Sequence, residues 1–425
     1  MTVVKILTII AKSLLFPFYF LERFLSFLAL FISKSILRAK KVAKEFRSSN
    51  TFQLVPITQF SGFDKIITKN GGVENIYLPQ IVGLSNGGFI SVNMPSDYLC
   101  TLINVSFVPY SDFIRDSNGY VSNEKLYRKE YDVLIPRDRD IFEIKGNNIR
   151  LFNKRNKVYS NVAFSLLGTI SNHWAHFLAQ YYPKLVFLEN LSADEEIDLI
   201  IVRNTDPHIK FLIERELVKY KNIKILEVEE ESEIICKKLY HVSLGTLLAD
   251  DGYIPTPFAI LLSKSTLQFW KEKALELVPR DSGQFRKIYL GRSGGRSIKN
   301  NDEVRDFFIY KGFEEVFPHL LSIEDKIKIF SESKYIVGPG SSAFANTMYS
   351  KPGTKILAFI NTFRYLDTYI PEFSNFVGHE FWFLSGKDDN ITEMNSSYEI
   401  SLEEIKTFIE ANNFLDDEAS LEINS

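Results

Sequence analysis

The sequence predicts a mixed α/β protein of two lobes, with a β-rich portion ahead of a Rossmann-like half and a helix at the amino terminus. Three observations predict this fold. The chain has 425 residues, more than one hydrophobic core usually holds. Short apolar strands alternate with helices along 287–359, as in a parallel α/β sheet. Between 50 and 158, short apolar runs are separated by Gly, Asn and Asp, as in β-hairpins.

The composition excludes several classes of protein. Hydrophobic residues make up 45% of the chain and charged residues 24%, so the chain is neither disordered nor of low complexity. Cys100 and Cys236 are its two cysteines, and they have no CxxC or Cys/His spacing. This excludes a disulfide framework and a thiolate zinc site, and we expect two inert core thiols in a reducing, cytoplasmic setting.

The two ends of the chain differ in charge. Residues 1–48 carry nine Lys/Arg against two Glu, and residues 387–425 carry two Lys against eleven Asp/Glu. Residues 13–33 are almost wholly apolar, but Glu22 and Arg23 lie at their centre and Pro17 interrupts them. A transmembrane helix rarely tolerates such residues.

A helical projection of the first segment explains this mixture. Its basic residues fall within about 40° of one another and face a broad apolar surface: Lys5, Lys12, Arg23, Lys34 and Lys41. This predicts an amphipathic helix over 1–48 that lies on an anionic membrane surface. The alternatives are a tilted single span and an uncleaved signal segment. Because the basic residues flank apolar ones, we expect no nucleic-acid partner.

After the hairpins, the pattern changes to α/β. The sequence predicts a helix over 171–182 that Pro183 ends or kinks, a strand over 197–202 and a helix over 207–219. The boundaries we predict are 1–48, 49–265 and 266–425.

The most regular part of the chain follows Lys287. Predicted strands at 287–291, 313–317, 335–338 and 355–359 are separated by predicted helices at 302–310, 323–331 and 342–349. Such alternation predicts a parallel sheet with right-handed crossovers. Ligands bind beyond the carboxyl ends of the strands in such sheets. Arg292, Pro318 and the loop 338–342 therefore lie on the predicted ligand side.

Two loops on that side suit an anion. GRSGGRSIKNNDEV places Arg292 and Arg296 beside glycines, and two guanidinium groups bind diphosphate oxygens well. In GPGSS, Gly338 and Gly340 permit a tight turn, and Ser341 or Ser342 can cap the next helix, whose N–H groups would face an anion. The alternatives are a solvated turn and an ordinary strand-to-helix turn.

A third motif, SNHWAHFLAQYYPKL, places His173 and His176 on one helical face, with Gln180 one turn later. No third ligand and no HExxH spacing accompany the histidines, which disfavours a metal site. A neutral histidine can instead accept a proton from a hydroxyl, unless the pair only packs in a core. Asp250 or Asp251, in a DDG turn, is a second candidate base, although such turns are usually only turns.

These motifs, in this order, resemble glycosyltransferase family 61. The resemblance covers roughly 160–360 and is carried by HWAHFLAQYYPKL, GRSGGRSIKNNDEV, YKGFEEVFPHLLSIEDKIKIF and VGPGSSAFANTMYSKPGTKIL. It implies a GT-B-like pair of Rossmann lobes and inverting transfer from a nucleotide-sugar donor. It also implies that no cofactor and no obligatory metal are needed. Bacterial members are often associated with capsule, lipopolysaccharide or other surface polysaccharides.

The family motifs match this sequence residue by residue. His176 matches the motif histidine, Arg292 and Arg296 the basic loop, Asn300 the start of the helix, and Asn346 the end of the glycine loop. There are two departures. Many members have His-Gly-Ala-Gly where this chain has Gly340, Ser341, Ser342 and Ala343, and Lys326 stands where Gln is common.

From these matches we predict a catalytic base, a donor site and a location. The base is His176 or Asp251, and the donor-binding residues are Arg292, Arg296, Asn300, Gly340, Ser341, Ser342 and Asn346. The expected partners are a nucleotide-sugar, a glycan or glycolipid acceptor and an anionic membrane surface, at the cytoplasmic face of the inner membrane. The open alternatives are a pyruvyl or phosphoryl transferase of polysaccharide synthesis and a non-catalytic membrane scaffold.

Overall fold

The computed structural model describes residues 49–69, 71–83, 85–94, 96–122, 141–145, 147–153, 156–243, 247–248, 260–279, 283–292, 298–361, 369–388 and 396–415. They fall into two compact units. In the small unit, Asn148–Phe152 pairs in antiparallel fashion with Ser49–Leu54 and with Ile141–Lys145. The pairing of Asn148–Phe152 with Ile141–Lys145 confirms one of the hairpins predicted between 50 and 158. The other unit contains two large sheets.

The first of these, the amino-terminal sheet, has four parallel strands at its centre. Their order across the sheet is Ile223–Val228, Ile197–Val202, Asn156–Ser165 and Ser232–Val242. Asp97–Phe107 pairs in antiparallel fashion with Ser232–Val242. It also pairs in antiparallel fashion with Asp64–Lys69 and with Ile114–Asp116, and Ile114–Asp116 pairs in turn with Tyr120–Ser122. Numbered by their order along the chain, the four parallel strands lie across the sheet as third, second, first and fourth. The strand order therefore reverses beside Asn156–Ser165.

Local sequence explains the central elements of this sheet. The strand Ile197–Val202 is apolar except at the half-buried Asp198, because both faces of a parallel sheet are covered. The helix Pro207–Leu217 follows it, and the Asp206 carboxylate caps that helix by accepting a hydrogen bond from the backbone N–H of His208 at 2.8 Å. Both elements lie where the sequence predicts them, although the helix ends two residues early.

The helical segment after Asn156–Ser165 differs from the prediction. It begins at Trp174, not at residue 171, with the α-turn Trp174–His176 and the π-helix Phe177–Tyr181. It then continues as the 3₁₀-helix Tyr182–Asn190. Pro183 does not end the segment, because it lies in the first turn of this 3₁₀-helix, where no N–H donor is required.

The second sheet, the carboxy-terminal sheet, consists of six parallel strands. Their order is Glu314–Val316, Arg286–Leu290, Ser333–Pro339, Lys355–Ile360, Glu380–Ser385 and Gln80–Val82. The first four confirm the predicted strands. The helices Asn301–Tyr310, Ile323–Ser331 and Ser342–Tyr349 connect them as predicted. Without Gln80–Val82, the other five strands lie across the sheet as the second, first, third, fourth and fifth in order along the chain. This is the arrangement of a doubly wound sheet.

The remaining elements cover these sheets. They are the strand pairs Gly72–Leu78 with Gly88–Met94, Leu247–Leu248 with Ile260–Leu261, and Lys387–Asp388 with Tyr398–Glu399, the short 3₁₀-helices Ile57–Gln59 and Pro318–Leu320, and the helices Lys264–Leu277, Tyr369–Val377 and Leu402–Ala411. One core cluster contains Phe164 and Leu199 of the first sheet together with Ile288 and Ile336 of the second. The two sheets therefore share a hydrophobic core.

Two further sequence predictions concern the cysteines and the membrane. Cys100 and Cys236 are unbonded and buried, and burial raises the pKa of both thiols to about 12. They are inert core residues, as predicted. Within the described residues, no helix combines the length and the apolar character that a membrane crossing requires. The amphipathic segment predicted over 1–48 lies outside the described residues.

Candidate active site

The predicted anion loops meet at the carboxyl edge of the carboxy-terminal sheet. Arg292 follows the strand Arg286–Leu290, and Gly340 follows the neighbouring strand Ser333–Pro339. Nη1 of Arg292 donates a hydrogen bond of 3.0 Å to the Gly340 carbonyl. The strand order reverses between these two strands, and a doubly wound sheet binds its ligands at such a switch point. Arg292 therefore spans the expected ligand crevice.

Both glycines beside this contact are required by close packing. A Cβ atom on Gly291 would lie 2.5 Å from the Phe317 ring, and one on Gly340 would lie 2.9 Å from Cγ2 of Ile360. The Gly340 N–H also donates to the Phe359 carbonyl at 2.6 Å. Gly291 can pack against the Phe317 ring, and Gly340 against the end of the strand Lys355–Ile360, because neither carries a side chain.

The helix after Gly340 begins as the sequence predicts. Ser341 is its N-cap, and the Ser341 hydroxyl accepts a hydrogen bond from the Ala343 N–H at 3.4 Å. Ser342–Tyr349 is a 3₁₀-helix of 8 residues. The N–H groups of a first turn have no acceptor within their own helix, so this turn adds partial positive charge beside Arg292.

An apolar cleft adjoins the same loop. It is lined by Gly340 and Ser341 on one side and by aromatic and aliphatic side chains on the others, among them Tyr369, Phe381 and Phe383. The helix Tyr369–Val377 forms one wall. A polar loop beside an apolar cleft is the combination that sites for small organic ligands share.

Asn346 holds the glycine loop against the histidine motif. Its side chain is only 1% exposed, and its amide oxygen accepts a hydrogen bond from the Trp174 indole N–H at 3.1 Å. The Asn346 amide nitrogen donates to the Ala343 carbonyl at 2.8 Å. The amide is therefore engaged on both sides by protein groups. These contacts assign Asn346 a structural part in the site, and direct donor binding by Asn346 stays a prediction.

Asn300 is likewise bound to the backbone. Its amide nitrogen donates to the Ile400 carbonyl at 2.8 Å, and its amide oxygen accepts from the Ile400 N–H at 3.1 Å. It precedes the helix Asn301–Tyr310 without capping that helix through its side chain. This pairing fixes the start of the helix to the chain near Ile400, and donor binding by Asn300 stays a prediction.

His176, the predicted base, lies where the α-turn passes into the π-helix Phe177–Tyr181. The His173 and His176 rings pack edge to face with centroids 4.9 Å apart. Isolated π turns are rare and often occur at functional sites. The indole N–H of Trp270 donates to the Leu178 carbonyl at 2.6 Å, which fastens this π turn to the helix Lys264–Leu277.

A buried cation that the sequence prediction missed lies beside Trp174. Lys326 is 4% exposed; its Nζ donates to Nδ1 of His208 at 3.1 Å and lies 5.2 Å from the centroid of the Trp174 ring. Burial lowers the pKa of Lys326. Nε2 of His208 lies 3.0 Å from the Leu321 carbonyl, which can only accept, so Nε2 carries a proton. Nδ1 of His208 also lies 3.2 Å from Oδ1 of Asp206, and the charge of Asp206 favours the protonated form of Lys326.

The sequence contains a signal for this lysine. In the helix Ile323–Ser331, the residues Ile323, Lys326, Ile327 and Phe330 have the i, i+3, i+4, i+7 spacing of one buried face. Lys326 occupies a core position in that pattern. A charged residue at such a position requires a partner, and His208 is that partner.

The structure thus brings together three of the predicted features. Arg292 contacts Gly340, Ser341 caps the helix beside them, and Asn346 connects that helix to Trp174 in the histidine motif. Arg296, Asp250 and Asp251 lie outside the described residues. Over the part of the chain that the structure describes, no three His, Cys, Asp or Glu side chains form a group that could hold a metal ion.

Comparison with known proteins assigns a family to this region. Residues 174–357 match the model of the family described as Glycosyltransferase 61. The matched region begins at Trp174 and ends in the strand Lys355–Ile360. It therefore includes His176, Arg292 and the whole glycine loop. No curated protein matches the chain.

Proposed function

We propose that this chain, whose residues 174–357 match the model of glycosyltransferase family 61, is an inverting glycosyltransferase that uses a nucleotide-sugar donor. The family assignment supports sugar transfer. The Arg292–Gly340 contact at the switch point of a doubly wound sheet carries the proposal of a nucleotide diphosphate. In this proposal, the carboxy-terminal sheet binds the donor, the amino-terminal sheet presents the acceptor, and the two form a GT-B-like pair.

The donor's diphosphate fits the chemistry of the two loops. Arg292 supplies a planar cation that can bind two phosphate oxygens at once. The first turn of Ser342–Tyr349 supplies N–H donors and the positive end of a helix dipole. Both features stabilise the negative charge that a departing nucleoside diphosphate acquires. We expect Arg296, from the same loop, to add a second cation.

The apolar cleft beside Gly340 and Ser341 supports a place for the nucleoside. Its aromatic walls, including Tyr369 and Phe381, offer flat apolar surface for a base. A nucleotide whose base entered this cleft would place its phosphates against Gly340 and Arg292.

The transfer itself needs a base. In an inverting displacement, the acceptor oxygen forms a bond to the anomeric carbon from the face opposite the diphosphate. The anomeric C–O bond to phosphate breaks, and its electron pair leaves with the nucleoside diphosphate. The acceptor proton must go to a nearby base. We propose His176 for this role, supported by the Trp174–Asn346 contact between its segment and the glycine loop, with Asp251 as the alternative.

The acceptor and the location follow from the sequence. We propose a surface polysaccharide or glycolipid acceptor, made at the cytoplasmic face of a bacterial inner membrane. The basic, apolar segment 1–48 supports this because it suits an anionic lipid surface. A lipid-linked acceptor would be presented at the same surface.

A nucleotide panel tests the proposed donor. We expect one of UDP, GDP or CMP to raise the Tm of the full-length protein, since a ligand that binds only the folded state stabilises it. Arg292→Ala should weaken that binding about 10- to 100-fold, the value of a charge-assisted hydrogen bond, and should abolish turnover. Arg292→Lys should be intermediate, because an ammonium keeps the charge but loses the fork.

The matched control is Arg305→Ala. Arg305 lies on the helix Asn301–Tyr310 and pairs with Asp302 and Asp306 at 2.8 Å, so we expect nucleotide binding to be unchanged. The proposal is wrong if no nucleotide binds, or if Arg292→Ala binds nucleotide as the wild type does. The first result would favour a pyruvyl or phosphoryl transferase or a scaffold.

A further inference from the structure

The amino-terminal sheet has a switch point of its own. Its strand order reverses between Asn156–Ser165 and Ser232–Val242, whose carboxyl ends lie side by side. A cleft lies there, lined by Val242 and Ser243 at the end of the second strand and by Gln180 from the segment that follows the first. Switch points are the preferred ligand sites of open α/β sheets.

Gln180 is the unusual residue of this cleft. It is 2% exposed, and neither its amide oxygen nor its amide nitrogen has a hydrogen-bond partner. A buried amide without partners lowers stability, because it has lost its bonds to water and gained none. An apolar side chain of similar size would cost nothing here. The Gln180 amide therefore calls for a partner that completes its hydrogen bonds, and a ligand with hydroxyl groups in the cleft would supply one.

The walls of the cleft are fixed by the surrounding structure. Gln180 lies in the π-helix Phe177–Tyr181, which the Trp270 indole fastens to the helix Lys264–Leu277 through the Leu178 carbonyl. Ser265 of that helix also lines the cleft and donates a hydrogen bond of 2.8 Å to Asp97. The polar groups are thus held in place before a ligand arrives.

The charges of the cleft favour an uncharged ligand. Lys184 and Asp97 both line it and are mostly buried, so neither sign of charge predominates. Ser243 and Ser265 add hydroxyl groups, and Phe187 adds an apolar surface. The Gln180 amide both donates and accepts, and together with the two serine hydroxyls it can bind the hydroxyl groups of a sugar ring. The flat Phe187 ring can pack against the C–H face of the same sugar.

We propose that this cleft binds one neutral sugar ring of the acceptor, with the Gln180 amide donating to one sugar hydroxyl and accepting from another. The proposal rests on the proposed function for the identity of the acceptor, but not for the existence of the site. Gln180 lies four residues after His176 in the same helical segment. A sugar held by Gln180 would therefore lie close to the segment that carries the proposed base.

Binding of methyl glycosides to the full-length protein tests this site. The probes are the methyl glycosides of glucose, galactose, N-acetylglucosamine and rhamnose, observed by saturation-transfer NMR. We expect at least one to bind with a millimolar Kd and Gln180→Leu to weaken that binding at least about tenfold, because the variant offers no hydrogen bonds. Gln180→Glu, which accepts but no longer donates, should be intermediate.

Thermal stability separates this role from a structural one. If the Gln180 amide only supports the fold, Gln180→Leu lowers the Tm; we expect an unchanged or higher Tm, since the variant buries no unpartnered amide. The matched control is Gln268→Leu on the helix Lys264–Leu277, where the exposed Gln268 amide only pairs with Glu272. That variant should bind the glycoside normally.

The outcomes also separate this proposal from the donor proposal. No glycoside binding by the wild type, equal binding by Gln180→Leu, or a lower Tm in that variant would overturn the sugar site. Nucleotide binding should be the same in Gln180→Leu and the wild type. A protein that binds a glycoside through Gln180 but no nucleotide would retain the sugar site and lose the proposed donor.

Discussion

The two large sheets of this protein place different side chains at the same location, the point where the strand order reverses. At the switch point of the carboxy-terminal sheet, a cationic side chain, Arg292, hydrogen-bonds to Gly340 beside the first turn of a helix. At the switch point of the amino-terminal sheet, the neutral amide of Gln180 shares a cleft with Lys184 and Asp97. The first arrangement favours an anion, and the second favours an uncharged ligand with hydroxyl groups.

In our proposal, this difference lets one fold bind both substrates of a transfer reaction. The strand order determines where a ligand binds, and the residues at the strand ends determine which ligand it is. The Trp174–Asn346 hydrogen bond joins the segment that carries His176 to the glycine loop. The comparison can be tested by changing one sheet and observing whether the other keeps its function.

The largest expected effect concerns a buried acid on the carboxy-terminal side. Glu372, in the helix that forms a wall of the apolar cleft, is 3% exposed, and burial raises its pKa from 4.5 to about 8. The folded protein therefore keeps a proton that the unfolded chain releases above 4.5. The stability that Glu372 contributes is complete below pH 4.5 and is lost as the pH rises towards 8.

Glu372→Gln should remove this pH dependence. Glutamine resembles the protonated acid and does not titrate, so the variant should exceed the wild type at pH 8 by a few kcal/mol, on the order of the shift converted to free energy. Urea unfolding at pH 5, 6.5 and 8 measures the difference. The exposed Glu380→Gln serves as the control, and parallel pH profiles for Glu372→Gln and the wild type would refute the expectation.

Gly340→Ala should have the next largest effect. The added Cβ would lie 2.9 Å from Ile360 and 3.0 Å from the Phe359 carbonyl, so the loop must shift relative to Ile360, and this disturbs the Gly340 carbonyl that Arg292 contacts. A displacement of about 1 Å at a reacting site can cost about 100-fold in rate, and we expect a loss of that size in turnover. Glycoside binding at Gln180 should not change.

Gly72→Ala provides the matched control for this loop. A Cβ on Gly72 meets nothing within 4 Å, so the substitution should alter stability by about 0.5 kcal/mol or less and leave turnover intact. Full turnover by Gly340→Ala would show that the close approach of this loop has no part in the reaction.

The smallest effect is expected at the link between the sheets. Asn346→Ala leaves the Trp174 indole without its acceptor and should cost about 1–3 kcal/mol of stability. Trp174→Phe removes the donor, and a double-mutant cycle should give a coupling of about 1 kcal/mol. Denaturant unfolding measures all four proteins, with the exposed Asn375→Ala as control. Additive losses would mean that the bond contributes no net stability.

The fold was largely predictable from sequence where the pattern is local. The helix Ile323–Ser331 and the strand Ile197–Val202 have the predicted bounds, because apolar periodicity and caps define them. The strand Gln80–Val82 was not predictable as a member of the carboxy-terminal sheet, since it pairs with Glu380–Ser385, about 300 residues away. Three residues carry too little pattern to specify such a partner.

The site was predictable in its loops but not in its contacts. Arg292 and Ser341 follow from their positions after predicted strands. The partners of Asn300 and Asn346 are set by tertiary packing, which no local spacing encodes. The sequence shows Gln180 one turn after His176 but not that its amide is buried without a partner.

The most direct test of this account is one set of titrations in which each switch point is altered separately. Wild type, Arg292→Ala and Gln180→Leu are each titrated with UDP, GDP and CMP and with the four methyl glycosides. We predict that Arg292→Ala loses nucleotide binding about 10- to 100-fold and keeps glycoside binding, whereas Gln180→Leu shows the reverse. The assignment of separate donor and acceptor sites would be contradicted if either variant lost the binding of both ligands, or if both variants bound both ligands as the wild type does.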